Sequence, residues 1–441
     1  MKRKLLTILF LFTTAAYAQD SKHLSLDEAI DLSVKNNKHL KLGDAKVDEA
    51  TAVLRETRNN MLPDLKASGA FLQINNPDID LKVKLGGSSS DSSGSKGASS
   101  LKVNQVMYGI VSASIPLFSG FKIHYGIESA KYLQQAAKLD AGNDKDAVIQ
   151  NTIEAYNNLY KAAKAIELVN QNLKQSQQRV KDFTNLEKNG IIARNDLLKV
   201  ELQESNVELA LLDAENNLKI VNINMNLMLG LPEGTLLIPD SIALDQNLAS
   251  KTISDWEMLA LQNRKDMAAI DLRKKAATSG IKLAQGDYYP GIALTGGYIA
   301  LNIPNFLTVT NALNVGVGLQ YNLGSIWKAG AKVAQAKAQV REVEISEELL
   351  SDQIKVQINT AYQNFILSQK KIDVYAKALD QATENYRITK NKYDNNLATT
   401  TDLLEADVAQ LQAQLNYAYS KGDAAVSYKK LLQTAGILNS K

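Results

Sequence analysis

The chain of 441 residues contains no cysteine. Disulfides, thiolate metal ligands and a lipid-modified N-terminal cysteine are thereby excluded. The histidines His23, His39 and His124 are too scattered for a metal site. No Ser/His/Asp grouping or phosphate-binding loop is visible, so no catalytic residue and no cofactor is expected, and the chain reads as a non-enzyme. Proline is scarce, at 7, aromatics are 6%, and much of the apolar content is alanine. That mixture suits long helices packed closely side by side rather than a wide core.

Two further absences concern membranes and charge. After the N-terminal segment there is no run of about 18 or more apolar residues, so a membrane crossing must use β-strands. Residues 1–18 read as a cleavable export signal, with Lys2, Arg3 and Lys4, an apolar Leu5–Phe12, and Ala16-Tyr17-Ala18 before Gln19. Without their three basic groups, the 50 Lys+Arg become 47 against 47 Asp+Glu. Charge therefore makes no case for nucleic acid or for an anionic membrane surface.

What is present is an internal duplication. A shift of 206 places Lys122 on Lys328, Ala155-Tyr156 on Ala361-Tyr362, Asp196-Leu197-Leu198 on Asp402-Leu403-Leu404, and Gly230 on Gly436. Upstream the shift is 227, placing Asn36 on Asn263, Pro63 on Pro290 and Pro77 on Pro304. The difference of 21 residues is an insertion in the first copy, for which the flexible Ser/Gly run at 86–100 is the candidate. The first repeat spans 19–230, a linker 231–251, and the second repeat 252–441.

Each repeat opens with an expected helix, at 25–62 and 252–289, stopped by Pro63 and Pro290. Ser25 to Glu28 has the pattern of a capping box. Two alternating strands follow in each repeat, at about 65–74 and 105–118, then about 291–301 and 312–322. Each is of the length a tilted strand needs to cross a bilayer. Helical hairpins follow at 122–230 and 328–436, with apolar residues in a heptad seam such as Ile354, Ile358, Ala361, Phe365 and Ile372. The outgoing helix, Lys122–Asn189, would be roughly 100 Å long. The opening and returning helices stacked end to end match that length. Four strands with open edges cannot sit in lipid alone, so copies must close them. Three chains supply twelve strands and an open bore, whereas two supply eight, which side chains tend to fill.

This order of elements resembles the TolC-like outer-membrane efflux proteins of Gram-negative bacteria, across essentially the whole chain after the signal. Glu187-Lys188-Asn189-Gly190-Ile191 leading to Asp196 resembles the family's first hairpin tip. Tyr393-Asp394 and Thr401-Asp402-Leu403-Leu404-Glu405-Ala406 resemble the second. The resemblance implies a mainly α chain with membrane β-strands. Three copies would share a 12-stranded barrel and an α-helical tunnel, reaching from the outer membrane into the periplasm. It also implies passive conduction, in efflux or type I secretion, from a periplasmic adaptor and an inner-membrane pump of RND, ABC or MFS type. The other partners implied are a homotrimer and outer-membrane lipid.

Residue by residue, the resemblance places Asp402 and Glu405 where acidic rings close the family's entrance. Asp402 as N-cap, with Glu405 at the third helical position, is the plain alternative. Asp196 repeats Asp402, whereas Lys199 stands opposite Glu405 in the duplication. Tyr393 and Asp196 match a pair that, in the family, helps tie the two hairpins together in the closed state. The Arg that completes that tie is here Ala398, with Arg194 nearby as a substitute. Gly190, Ile191, Asn396 and Leu397 are candidates for docking the adaptor, or ordinary turn residues. The competing class is a non-conducting coiled-coil protein that spans the periplasm.

Overall fold

The computed structural model describes residues 21–75, 103–240, 251–304 and 306–438. The expected signal at 1–18, the Ser/Gly run at 86–100 and the centre of the linker lie outside them. The first repeat runs β1 (Ser21–Leu24), α1 (Leu26–Asn36), α2 (Lys38–Asn59), β2 (Asp64–Gln73), β3 (Gln105–Phe118), α3 (Lys122–Lys188) and α4 (Arg194–Leu229). Then come β4 (Leu236–Pro239), α5 (Ile253–Asn263), α6 (Lys265–Gln285), β5 (Gly291–Ile303), β6 (Leu307–Gln320), α7 (Ser325–Asp394) and α8 (Thr400–Thr434). The chain is mainly helical, as expected, and no helix among the described residues is long and apolar enough to cross a membrane.

Two compact units divide these elements. One takes the described parts of Met1–Lys46, Lys138–Ala269 and Glu348–Lys441; the other takes Val47–Ala137 and Ile270–Glu347. The first unit is helical but for β1 and β4, which pair in parallel from Ser21 opposite Leu236 to Leu24 opposite Pro239. Neither strand was expected, because four residues are too few to show a period. Tyr156 of α3 donates its hydroxyl to the Leu24 carbonyl at 2.8 Å and holds β1 against the helices. Asn222 of α4 donates to the Thr235 carbonyl and accepts from the Leu237 amide, fixing β4.

Each expected opening helix is in fact two. The break falls at Asn37 in the first repeat and at the duplicate position, Arg264, in the second, both with extended backbone. A break of one residue leaves the apolar period almost intact, so periodicity does not reveal it. Its use is plain in the structure. Asn36 donates its amide to the Leu229 carbonyl at 2.7 Å, and Arg264 donates to the Thr434 carbonyl at 3.2 Å. These are last-turn carbonyls that α4 and α8 leave without helical partners. Gly230 and Gly436 end the two returning helices at positive φ, each pressed against the break. The expected capping box at Ser25 is half formed, since Ser25 accepts from the Glu28 amide while Glu28 pairs with Lys22.

The duplicated cores differ in chemistry. In the first, Thr152 donates to Ser33 at 2.8 Å, fully buried beside Tyr156, Leu159, Met225 and Leu229. At the duplicate positions Ile358 and Ala260 replace that pair within an apolar cluster around Trp256, Ile354 and Leu431.

The second unit carries one four-stranded antiparallel sheet in the order β2-β3-β5-β6. Its register separates two faces. Ala67, Val111, Tyr298 and Leu313 form one cross-strand row, and Leu65, Ala113, Gly296 and Val315 the next. On the other face the rows are Lys66, Ser112, Gly297, Asn314 and Asp64, Ser114, Thr295, Gly316. β6 begins at Leu307, five residues before the expected start at 312. A bulge opposite Ile299 and Leu301, with Asn311 at φ 58°, breaks the alternation that marks a strand. Small residues let the helices of this unit pack closely, with Ala130, Ala136, Ala276, Ala329 and Ala336 buried.

Gly436→Ala and Gly190→Ala separate packing from backbone strain. Both glycines have φ above 70°, but a Cβ on Gly436 would lie 2.8 Å from Asn263 backbone, whereas one on Gly190 meets nothing within 4 Å. Gly190→Ala should cost about 1 kcal/mol. Gly436→Ala should cost clearly more, read as the larger drop in Tm of the detergent-solubilised protein.

Candidate functional site at the hairpin tips

Both tips are built by the same turn. α3 ends at Lys188 and the chain reverses through Gly190 at φ 72°, with the Ile191 amide donating to the Leu186 carbonyl at 2.9 Å. α7 ends at Asp394 and reverses through Asn396 at φ 61°, with Leu397 donating to Lys392 at 2.7 Å. This is the Schellman arrangement, which satisfies a last-turn carbonyl and asks for glycine or asparagine at the left-handed position. It leaves Ile191 and Leu397 at the apex, 65% and 77% exposed.

The tips part company two residues later. Thr399, not Asp402, is the N-cap of α8, and Asp402 is the third helical residue of a complete capping box. Thr399 donates its amide and its hydroxyl to Asp402 Oδ2, each at 2.8 Å, and accepts from the Asp402 amide at 3.2 Å. The Thr399 backbone and hydroxyl bonds hold the exposed Asp402 carboxyl below its ordinary range. At the first tip Ala193 takes the place of Thr399 and makes no side-chain cap. Asp196, free of a box, accepts from Lys199 at 3.2 Å instead.

Glu405 is the sixth residue of α8, beyond the cap. It lines a groove of about 690 Å³ between α4 and α8, together with Lys199, Leu202, Leu404 and Val408. Lys199 thus shares the groove with Glu405 but pairs with Asp196. Among the described residues, no ion pair engages Glu405.

Tyr393 stacks on Phe183 of α3, with centroids 5.4 Å apart and planes 10° apart. Its hydroxyl is pushed up by burial, against a bond to Thr400, and the charge of Asp196 adds to the rise. Tyr393 and Asp196 are therefore neighbours in the field, although stacking, rather than a hydrogen bond between them, joins the hairpins here. Arg194 stands exposed at the first position of α4, without an ion pair among the described residues.

A buried ion pair between the hairpins was not singled out from sequence. Arg179 of α3 donates to Asp407 of α8 at 3.0 Å and to the Tyr386 hydroxyl of α7 at 3.2 Å. Asn172 reaches both Asp407 oxygens at 3.4 Å, and Asp407 is only 1% exposed. Burial opposes the guanidinium's charge, but Asp407 and Tyr386 outweigh it and raise its pKa. The apolar layer beside it holds Phe183, Leu197, Val200 and Leu403. A signal was available, since Arg179 and Asp407 stand four residues from Phe183 and Leu403 and so share their buried faces. Among the described residues, no three His, Asp or Glu side chains are grouped as a metal ion requires.

Comparison with known proteins places this geometry in context. The family described as outer membrane efflux protein matches residues 29–231 and 257–436. Outer membrane efflux protein BepC of Brucella suis biovar 1 (strain 1330) is 23% identical over 332 residues, 73% of this chain and 70% of that protein. In fold the chain is similar to the outer membrane protein VceC of Vibrio cholerae, with a TM-score of 0.75, 17% identity, and 93% of this chain and 96% of that one covered. It is likewise similar to the CmeC outer membrane channel of Campylobacter jejuni, with a TM-score of 0.77, 16% identity, and 94% and 86% covered.

Removing one member of the buried pair leaves an uncompensated charge. Arg179→Met should cost about 3–5 kcal/mol, and Arg179→Met/Asp407→Leu should recover most of it; thermal unfolding of both variants measures this. The capping box has its own pH signature. A carboxyl lowered in the folded state stabilises α8 above its ordinary pKa, and that contribution disappears as pH falls through the lowered value. Acidification should therefore lower the protection of the Thr399 and Asp402 amides, measured relative to their intrinsic exchange rates, in the wild type. Asp402→Asn, which has no charge to lose there, should show no such step.

Proposed function

The chain belongs to the outer membrane efflux protein family, and from that premise we propose that it forms a trimeric channel that conducts substrates passively out of the cell. The observation that carries this reading is the sheet, apolar on one face and, in the rows of Asp64 and Lys66 nearest the helices, small and polar on the other, with Ile110, Ile299 and Leu301 further along that second face. Leu313 and Val315 are 80% and 84% exposed in the single chain, as residues facing lipid would be. Among the described residues, β2 and β6 each pair on one side only. Three copies joined edge to edge give twelve strands with no free edge and a polar bore.

The helices carry the same demand. Leu198, Leu202, Leu209 and Leu212 form an exposed stripe on α4, and Leu349, Val356, Leu367 and Val374 another on α7. Their helical spacing is that of seams awaiting partner helices. Phe121, Tyr289 and Trp327, exposed where strands meet helices, suit the membrane–water boundary. A non-conducting coiled-coil protein has no use for a two-faced sheet of this kind. Export through the signal at residues 1–18 completes the route to the outer membrane.

In the trimer Asp402 and Glu405 of three chains ring the periplasmic entrance and attract cations. Tyr393 and Asp196, with Arg194 in reserve, hold the tips together in the closed state. Gly190, Ile191, Asn396 and Leu397 offer the adaptor an exposed apolar apex, through which the chain serves an inner-membrane pump of RND, ABC or MFS type.

Planar-bilayer recording tests the reading. The wild type should give small, cation-selective currents, and Asp402→Ala/Glu405→Ala should raise conductance and reduce cation selectivity. Unchanged currents in the double variant would remove the acidic ring; no channel activity in the wild type would contradict conduction itself.

A further inference from the structure

Where the strands hand over to the helices, the two faces of the second unit differ in charge. Gln320, opposite Gly291, stands on the polar face of the sheet. Asn322 follows it, and Ser325, Lys328 and Lys332 continue on one side of α7 at helical spacing. Trp327, 71% exposed, falls on the opposite side of α7 by the same helical spacing. A cavity of about 410 Å³ opens among Gln320, Asn322, Lys328, Lys332, Lys122 of α3 and Asp287.

The charges here do not balance. Asp287 is bridged by both Lys122 and Lys332, and they hold its carboxyl low and charged. Lys328 has no ion pair among the described residues. The first turns of α3 and α7 carry no acidic residue that would neutralise it. On the nearby strand β2, Asp64 and Lys66 cancel one another at 2.8 Å. Three lysines thus line one cavity that holds a single carboxylate, beside two helix starts where a cation is already disfavoured. Lys122 and Lys328 are duplicates of one another, so both repeats bring a lysine to the same cavity.

We propose that this cavity is an anion-binding station on the lumenal face of the strand–helix junction, taking solutes that bear phosphate, sulfate or carboxylate groups as they leave. It rests on the channel reading, which makes the polar face the wall of the bore. Threefold repetition would set three such cavities around one axis, where low-dielectric walls concentrate their field. The proposed acidic ring and this basic junction would favour solutes of opposite charge. Binding weakens as salt rises, because the lysines are exposed.

Calorimetric titration of the detergent-solubilised protein with inorganic pyrophosphate tests the site itself. Affinity should fall by about tenfold or more in Lys328→Glu, a loss of about 1.4 kcal/mol, and be retained in Lys328→Arg. Equal affinity in the wild type and Lys328→Glu, or no binding in either, overturns the site. Bilayer recording then tests its place on the path, in an Asp402→Ala/Glu405→Ala background that removes the charge at the tip. Pyrophosphate added on the barrel side should block the current, and Lys328→Glu should relieve the block. Binding without block overturns the lumenal placement, as does loss of co-purifying anionic phospholipid in Lys328→Glu with block unchanged. Absence of any current in the wild type contradicts conduction, while the titration still decides whether the cavity binds anions.

Discussion

A backbone N–H or C=O group left unpaired in hydrocarbon costs several kcal/mol. That constraint organises the chain. Its four strands offer an apolar face suited to lipid but, among the described residues, leave β2 and β6 each with one unpaired edge. A sheet of this kind is incomplete by itself, and the exposed stripes on α4 and α7 are incomplete in the same way. The proposed trimer answers both at once, by continuing the sheet around a bore and giving the helical seams neighbours.

The duplication preserves backbone geometry and releases chemistry. Breaks at Asn37 and Arg264, glycines at Gly230 and Gly436, and left-handed residues at Gly190 and Asn396 recur at matching positions. Around them the side chains diverge. A buried Thr152–Ser33 hydrogen bond becomes Ile358 and Ala260, an absent cap at Ala193 becomes the Thr399 box, and Lys199 becomes Glu405. The Arg179–Asp407 pair belongs to one combination only, since their duplicates are Asn385 and Glu201. Two hairpins of one shape thereby acquire different partners.

The hairpins were legible because their signals are long: seams of many turns, and tips marked by Gly190 and by Asn396 at its duplicate position. The strands β2, β3 and β5 were legible because alternation survives along them. What stayed hidden was short or long-range. One extended residue at Asn37 hardly disturbs a helical period, and the bulge at Asn311 resets the alternation of β6. β1 and β4 find one another across more than two hundred residues of chain. The cap of α8 lay three residues before the aspartate credited with it, because Thr399 and Asp402 are both good capping residues and only the backbone decides between them. The buried Arg179–Asp407 pair needs three helices to be placed before it exists.

The most direct test of this account is the number of chains in the detergent-extracted protein. Native mass measurement should find three copies, and unfolding them should release single chains of one mass, since no cysteine is present to join them. A stable, folded single chain, soluble without detergent, would contradict the account, because the open sheet edges and the exposed helical seams would then need no partner.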